Sequence, residues 1–280
     1  MNIPAKFTKR VNDNLKKYQA VIAGLKKRDA NEADTVKVTT DILSEIFGYD
    51  KYKEITSEYA IRGTYCDLAI IDNNKKIKFL IEVKSVSVSL NDSHVKQAID
   101  YGANAGVNWI ILTNSERWII YKMKFSKPID KELVAEFNLL NINLKSEKIL
   151  EALFVISKEG QEKSSINDFY STIQAKSKFI IGALLNTEEV YSIIRKNIKK
   201  LYEDVKITDE EIADIMANDI IKREILDSEE SKKAKKDIEK MLKKIDRAKE
   251  KSKTEKVKDE TPAEDKEIAD VTDQSVETKE

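Results

Sequence analysis

Asp67 and Glu82 lie in separate short apolar runs, and Lys84 follows Glu82 by two residues. Side chains alternate along a strand, so an extended 79–84 segment puts Glu82 and Lys84 on one face and Ile81 and Val83 on the other. Whether Asp67 joins them depends on the intervening turn. A four-residue hairpin loop over 73–76 sets 72 against 77 and, counting outward, Asp67 directly against Glu82. A two-residue loop keeps them on one face, a diagonal apart, whereas an odd loop without a bulge sends them to opposite faces. Two carboxylates at such a spacing repel unless a cation sits between them. Oxygen ligands of this kind suit Mg²⁺, with Mn²⁺ as a substitute, because Mg²⁺ keeps several waters and accepts a phosphate oxygen. Such an ion polarises a phosphodiester and lowers the pKa of an attacking water. An amine beside it orients that water or neutralises charge growing on the phosphate. The competing reading is purely structural: Lys84 paired with Glu82 or Asp67 at the exposed rim of a sheet.

Composition narrows the alternatives. One His and one Cys in 280 residues exclude His-Glu-x-x-His helices, Cys-rich zinc sites and a disulfide framework. The Gly-Lys-Ser/Thr end of a phosphate loop is absent, so no ATP is expected to be used. No stretch approaches the roughly 20 apolar residues that span a bilayer, and the start has no apolar signal core. A soluble, cytoplasmic protein with no membrane partner is expected. The zero net charge is a sum of opposed blocks: residues 1–28 carry a net +7, residues 231–258 a net +8, and residues 259–280 a net −7. Basic blocks commonly meet phosphate, although Lys/Glu-rich helices are also ordinary solvated faces.

The elements that must position the three charges follow from periodicity. Phe7, Val11, Leu15, Tyr18, Ile22 and Leu25 recur at helical spacing, giving a basic amphipathic helix over 1–28. A second helix runs from about 31 to 47 and ends at Gly48. Residues 53–61, 64–72 and 76–84 read as a three-stranded antiparallel meander, with turns at Arg62-Gly63 and at 72–75. A helix over 91–105, closed by Gly106, precedes two apolar strands at 109–113 and 118–121. The 129–140 segment fits either an edge strand or a helix. The whole is an α/β layer with a mixed sheet, spanning residues 29–140. Beyond it, helices are expected at 146–157, 163–182, 187–203 and 208–226, making an all-α region over 141–228 with a surface for homo-oligomer formation. A charged helix and a disordered tail fill 229–280; its apolar residues thin to Ile238, Met241, Leu242 and Ile245.

Taken together, Asp67 and Glu82-Val83-Lys84 resemble the core of PD-(D/E)xK nucleases. The surrounding text resembles more specifically the N-terminal nuclease domain of type I restriction enzyme R subunits. Asn31-Glu32-Ala33-Asp34-Thr35, Ile46-Phe47-Gly48-Tyr49-Asp50, Ile81-Glu82-Val83-Lys84-Ser85, Gln97-Ala98-x-x-Tyr101, and the two strands around Trp109 and Trp118 fall in that family's order, over about residues 30–125. The resemblance implies a restriction-endonuclease-like fold and metal-dependent hydrolysis of DNA in restriction or phage defence. It implies Asp67, Glu82 and the Val83 carbonyl as metal ligands, Lys84 as the catalytic amine, and Glu32 as an acidic residue of the first core helix. It places Gln97 and Tyr101 near DNA. Two departures stand out: Cys66 occupies the position of the family's proline, and a helical arm with a charged tail follows where R subunits continue into a helicase. The chain therefore reads as a standalone relative, either an active nuclease or an inactive fold that binds DNA or a protein partner.

Other chemically suggestive residues have plainer roles. His94 reads as a surface or packing residue in the first turn of its helix, and Cys66 as packing. Trp109 and Trp118 flank buried strands and read as core. Tyr101 is the better aromatic for a surface contact with nucleic acid.

Overall fold

A computed structural model describes residues 1–61, 64–125 and 127–258. The chain forms two compact units, one ending at Ala175 and the other beginning at Lys176. In the first, the apolar stripe at Phe7, Val11, Leu15, Tyr18, Ile22 and Leu25 is the buried side of α1 (Ala5–Lys27). It shares one core with Ile42 and Leu43 of α2 (Glu32–Glu45) and with Ile46 and Phe47 just beyond. Asn31 caps α2 by accepting from the Asp34 N–H at 2.9 Å. Gly48 takes the left-handed conformation, φ +84°, that ends the turn as its position predicted.

Six strands follow in spatial order: β1 (Ile55–Ile61), β2 (Thr64–Ile71), β3 (Ile77–Val83), β4 (Trp109–Thr113), β5 (Arg117–Lys124) and β6 (Asp130–Asn138). Neighbours are antiparallel except β3 and β4, which run parallel and so need a crossover. That crossover contains α3 (Asp92–Ala105), capped by Asn91 and closed by Gly106 at φ +66°. The sheet is therefore mixed, as its periodicity required. The 129–140 segment is an edge strand, with Val134 and Phe137 turned into the core.

One sheet face, through Leu68, Ile70, Phe79, Ile81, Ile111 and Ile120, shares its core with α1, α2, α4 (Glu147–Val155) and α6 (Ser165–Ala175), the short α5 (Lys158–Glu162) linking the last two. The other face carries Ala69, Leu80, Ile110 and Leu112 and is covered by α3 through Val95, Ala98 and Tyr101. Both faces of β3 and β4 are thus dry, which explains their continuous apolar runs.

Three expectations change. The single helix anticipated over 163–182 is two, because the Ser177 hydroxyl accepts from the Phe179 N–H and starts α7 (Lys178–Leu185) afresh. The 208–226 helix divides into α9 (Asp209–Ile215), a π-helical turn at Met216–Ile220 and α10 (Arg223–Asp227), with Ile221 extended between the last two and buried among Tyr191, Ile212 and Met216. The basic side of α1 is half engaged: Arg10 pairs with Glu159, Lys17 with Glu45, Lys26 with Glu116 and, just past the helix, Arg28 with Asp34, while Lys6, Lys9, Lys16 and Lys27 stay exposed.

The second unit also contains α8 (Glu188–Leu201) and α11 (Glu229–Lys258). Ala234 and Ile238 of α11 pack with Ala183 of α7, while Met241 and Ile245 are exposed. The turn expected at Arg62-Gly63 and the tail expected at 259–280 lie outside the described residues. Among the described residues no helix is long and apolar enough to cross a membrane.

Candidate active site

The β2–β3 hairpin decides whether the two carboxylates meet. Asp72 pairs with Lys76 around a three-residue loop, with the Asp72 N–H donating to the Lys76 carbonyl at 3.0 Å. The Asp72 carboxylate accepts from the N–H groups of Asn74 and Lys76, and Lys75 adopts φ +58°. An odd loop alone would separate Asp67 from Glu82. A bulge at Ile70/Ile71 restores the parity, so that Leu68 pairs with Ile81 and the next residues outward, Asp67 and Glu82, stand opposite. The carboxylates thus meet through a loop and bulge together.

At this end the ladder changes partners. The Val83 N–H donates to Asp67 Oδ2 at 2.7 Å, and the Lys84 N–H donates to the Thr113 carbonyl at 2.8 Å, prolonging the parallel β3–β4 pairing. The N–H and C=O of one strand residue share an edge, so the Val83 carbonyl lies on the Asp67 side of β3. Lys84 Nζ donates to Glu82 Oε1 at 2.7 Å and sits 3.5 Å from Glu32 Oε2 at the start of α2. The segment leaving β3 is fixed from three directions. Ser85 donates to the Ala30 carbonyl, the Val86 N–H to the Thr35 hydroxyl, and the Asn114 amide to the carbonyls of Val86 and Val88.

Electrostatics here are those of a site short of positive charge. Glu82 is only 3 % exposed, and its Oε2 is buried with no hydrogen-bond partner. Burial pushes its carboxyl up to about 7 against the pull of Lys84, and the charges of Asp67 and Glu32 add to the rise. Asp67 is raised as well, by burial first and then by Glu32 and Glu58, despite the Val83 N–H and the Lys84 charge. Burial acts to lower the Lys84 ammonium, but its bond to Glu82 and the surrounding carboxylates outweigh that and hold it above its ordinary value.

Asp67, Glu82, Lys84 and Glu32 therefore converge. Gln97 and Tyr101 share a hydrogen bond on α3. Because α3 runs back from the end of β3 to the start of β4, Gln97 is displaced one turn from Tyr101 toward the Glu82 end. The expectation of a surface Tyr101 needs correction: its ring is 3 % exposed and packs with Cys66, Ala69, Leu80 and Val107. Val95, Ala98, Tyr101 and Gly102 form the buried stripe of α3, and this spacing was itself the available signal. His94 accepts from the Asn91 N–H in a capping box, Cys66 is buried with its thiol pushed up to about 12, and both tryptophans are core. One acid was missed. The pairs Ser57–Leu68 and Tyr59–Cys66 bracket Glu58 opposite Asp67, and Glu58 is exposed with φ +49°. Nothing in its local sequence marks it, because its position depends on the β1–β2 register.

The donors suit a hard divalent ion. Glu82 has a buried, unpartnered carboxylate oxygen, the strand position across from it holds a second carboxylate whose ionisation burial disfavours, and a cation bound by both would relieve each. Among the described residues no three His, Cys, Asp or Glu side chains are grouped to hold an ion by themselves. An ion here would take Asp67 and Glu82, leaving its other positions to the Val83 carbonyl, water and substrate oxygens, the sparse protein coordination typical of Mg²⁺.

A mixed sheet flanked by helices, with two carboxylates and a lysine at the end of a central strand, defines a restriction-endonuclease-like α/β module. Residues 35–136 match the family described as the N terminus of type I restriction enzyme R proteins. The matched stretch contains Asp67, Glu82, Lys84, Gln97 and Tyr101, and Glu32 lies three residues before it. No curated protein and no solved structure matches the chain.

Proposed function

We propose that the chain is a metal-dependent endonuclease that hydrolyses DNA phosphodiester bonds in a restriction or phage-defence setting, without ATP. The observation that carries this reading is the unpartnered Glu82 Oε2, buried opposite Asp67 and beside Lys84. A structural ion pair would satisfy both carboxylate oxygens or leave the spare one in water; this arrangement does neither.

Asp67 and Glu82, with the Val83 carbonyl, would hold Mg²⁺ or Mn²⁺, which when bound supplies polarisation of the phosphodiester and a water of lowered pKa. Asp67 is oriented by the Val83 N–H, so the strand itself sets its rotamer. Lys84 orients the attacking water and offsets charge on the phosphate oxygens, and Glu32 steadies that ammonium from the opposite side. Gln97 is exposed and available to the nucleic acid; Tyr101 anchors it from within the core through their shared hydrogen bond.

The test is incubation of the purified protein with supercoiled, linear and single-stranded DNA in Mg²⁺, Mn²⁺ or EDTA, beside Lys84→Ala. The reading expects strand cleavage that needs the metal and is lost in Lys84→Ala. No cleavage under any metal, or equal cleavage by the variant, sinks it; DNA binding without cleavage would favour an inactive binding module.

A further inference from the structure

Past Lys84 the chain leaves the β3–β4 pairing, and the buried Val86 N–H takes a side chain as its partner, the Thr35 hydroxyl at 3.1 Å. An N–H can only donate, so the Thr35 oxygen accepts there and its own proton goes to the Asn31 carbonyl at 2.9 Å. That carbonyl also accepts the Thr35 N–H at 3.1 Å, so it keeps a partner if the hydroxyl is lost; the Val86 N–H does not. Thr35 itself is 0 % exposed, and a valine of the same shape there would leave a buried N–H orphaned.

The two ends of this bridge lie beside opposite halves of the charge cluster. Thr35 stands one turn after Glu32 on α2, and Val86 stands two residues after Lys84. The bridge therefore ties the helix that carries Glu32 to the strand end that carries Lys84, whose ammonium sits 3.5 Å from Glu32 and 2.7 Å from Glu82. Ser85 makes a parallel tie to the Ala30 carbonyl at 3.2 Å, but Ser85 is only half-buried, so water can take over its bond. A buried threonine on a helix is ordinary packing by itself, and α2 provides the comparison. Thr39, equally buried and one turn on, bonds the Ser115 hydroxyl at 2.7 Å, in the turn after β4, and makes no bond to the 84–86 segment.

We propose that Thr35 is a positioning residue for the cleavage reaction, its hydroxyl acting through the Val86 N–H to hold Lys84 where the ammonium can orient the attacking water. The role rests on the DNA-cleaving reading and bears on the chemical step alone, because Thr35 is sealed from the nucleic acid. A displacement of about 1 Å at a reacting group can cost about a hundredfold in rate, so a modest shift of Lys84 suffices.

Single-turnover cleavage at saturating DNA with Mg²⁺, beside DNA affinity in EDTA, tests this in the full chain. Thr35→Val is expected to slow cleavage at least about tenfold while affinity stays within about twofold, a loss confined to the chemical step. Thr35→Ala, which lacks the hydroxyl but leaves room for a water, should be slowed as well and carries the test if the valine variant fails to fold. Thr35→Ser keeps the hydroxyl and should stay within about threefold of the unaltered rate. Thr39→Val loses an equally buried hydroxyl and controls for lost stability; its rate should stay within about twofold. An unchanged rate without the Thr35 hydroxyl, equal slowing in Thr39→Val or Thr35→Ser, or a loss of affinity matching the loss of rate overturns the positioning role and leaves the nuclease reading standing. Absence of cleavage by the unaltered protein overturns both.

Discussion

Replacing Glu82 by glutamine should make the metal-free protein more stable while removing its chemistry. The side chain is 3 % exposed, its carboxyl is pushed up to about 7 from an ordinary 4.5, and one oxygen has no partner. The folded pKa lies above the unfolded one, so folding favours the protonated form. The associated stability is complete below about pH 4.5 and is lost as pH rises through about 7. At about pH 8 ionisation of this one group costs on the order of 3 kcal/mol, and at about pH 5 less than about 1 kcal/mol. Glutamine keeps the shape and still accepts from Lys84, but never ionises. Glu82→Gln should therefore exceed the unaltered protein by about 3 kcal/mol at about pH 8, with the gap nearly closing at about pH 5. Urea unfolding in EDTA, followed by tryptophan fluorescence, reads this cleanly, because the chain's 2 tryptophans, Trp109 and Trp118, both lie in the first unit and report on it alone. A gap that does not change with pH, or a variant no more stable at high pH, would refute the idea that Glu82 is ionised at a cost the protein bears for a cation.

The same site and its supports give three further expectations. Lys84→Ala leaves Glu82 without its cation, so the carboxyl rises further and protonates; the variant should lose about 1 kcal/mol at about pH 8 but little at about pH 5, read by the same unfolding curves. Asn114→Ala removes the amide that binds the Val86 and Val88 carbonyls; a loss of about 2 kcal/mol is expected, with faster amide exchange across residues 84–90 as the loop behind Lys84 loosens. Arg10→Ala breaks a two-pronged pair with Glu159, at 2.5 and 2.7 Å, and a bond to the Ile46 carbonyl; it should cost about 1–2 kcal/mol, partly masked at high salt, and leave DNA binding unchanged.

Local periodicity carried most of the fold. The six apolar residues of α1, the cap at Asn31 and the dry runs of β3 and β4 are readable because each depends on neighbours within a few positions. The site was readable in composition, since one His and one Cys leave carboxylates and lysine to do the work, but its geometry was not. Even loop lengths put Asp67 and Glu82 on one face, yet the chain uses an odd loop corrected by a bulge, and a bulge between two isoleucines, Ile70 and Ile71, leaves no mark in the sequence. Glu58 reaches Asp67 through pairing with a second strand, a relation that residue spacing does not encode. Tyr101 carries two conflicting signals, a motif that places it near nucleic acid and a Val95–Ala98–Tyr101 stripe that marks it as core, and packing follows the stripe. The break at Ser177 turns on a single hydroxyl competing for a backbone N–H, a local contest that an apolar pattern passes over.

The central claim is that Asp67 and Glu82 form a buried seat for a divalent cation, and calorimetric titration of Mn²⁺ into the DNA-free protein tests it most directly. Binding should displace the proton that Glu82 holds near pH 7, so the heat should vary with the ionisation enthalpy of the buffer at about pH 6.5 and much less at about pH 8.5. Asp67→Asn and Glu82→Gln should each abolish binding. An unaltered protein that takes up no ion, or one whose affinity survives both substitutions, would contradict the account.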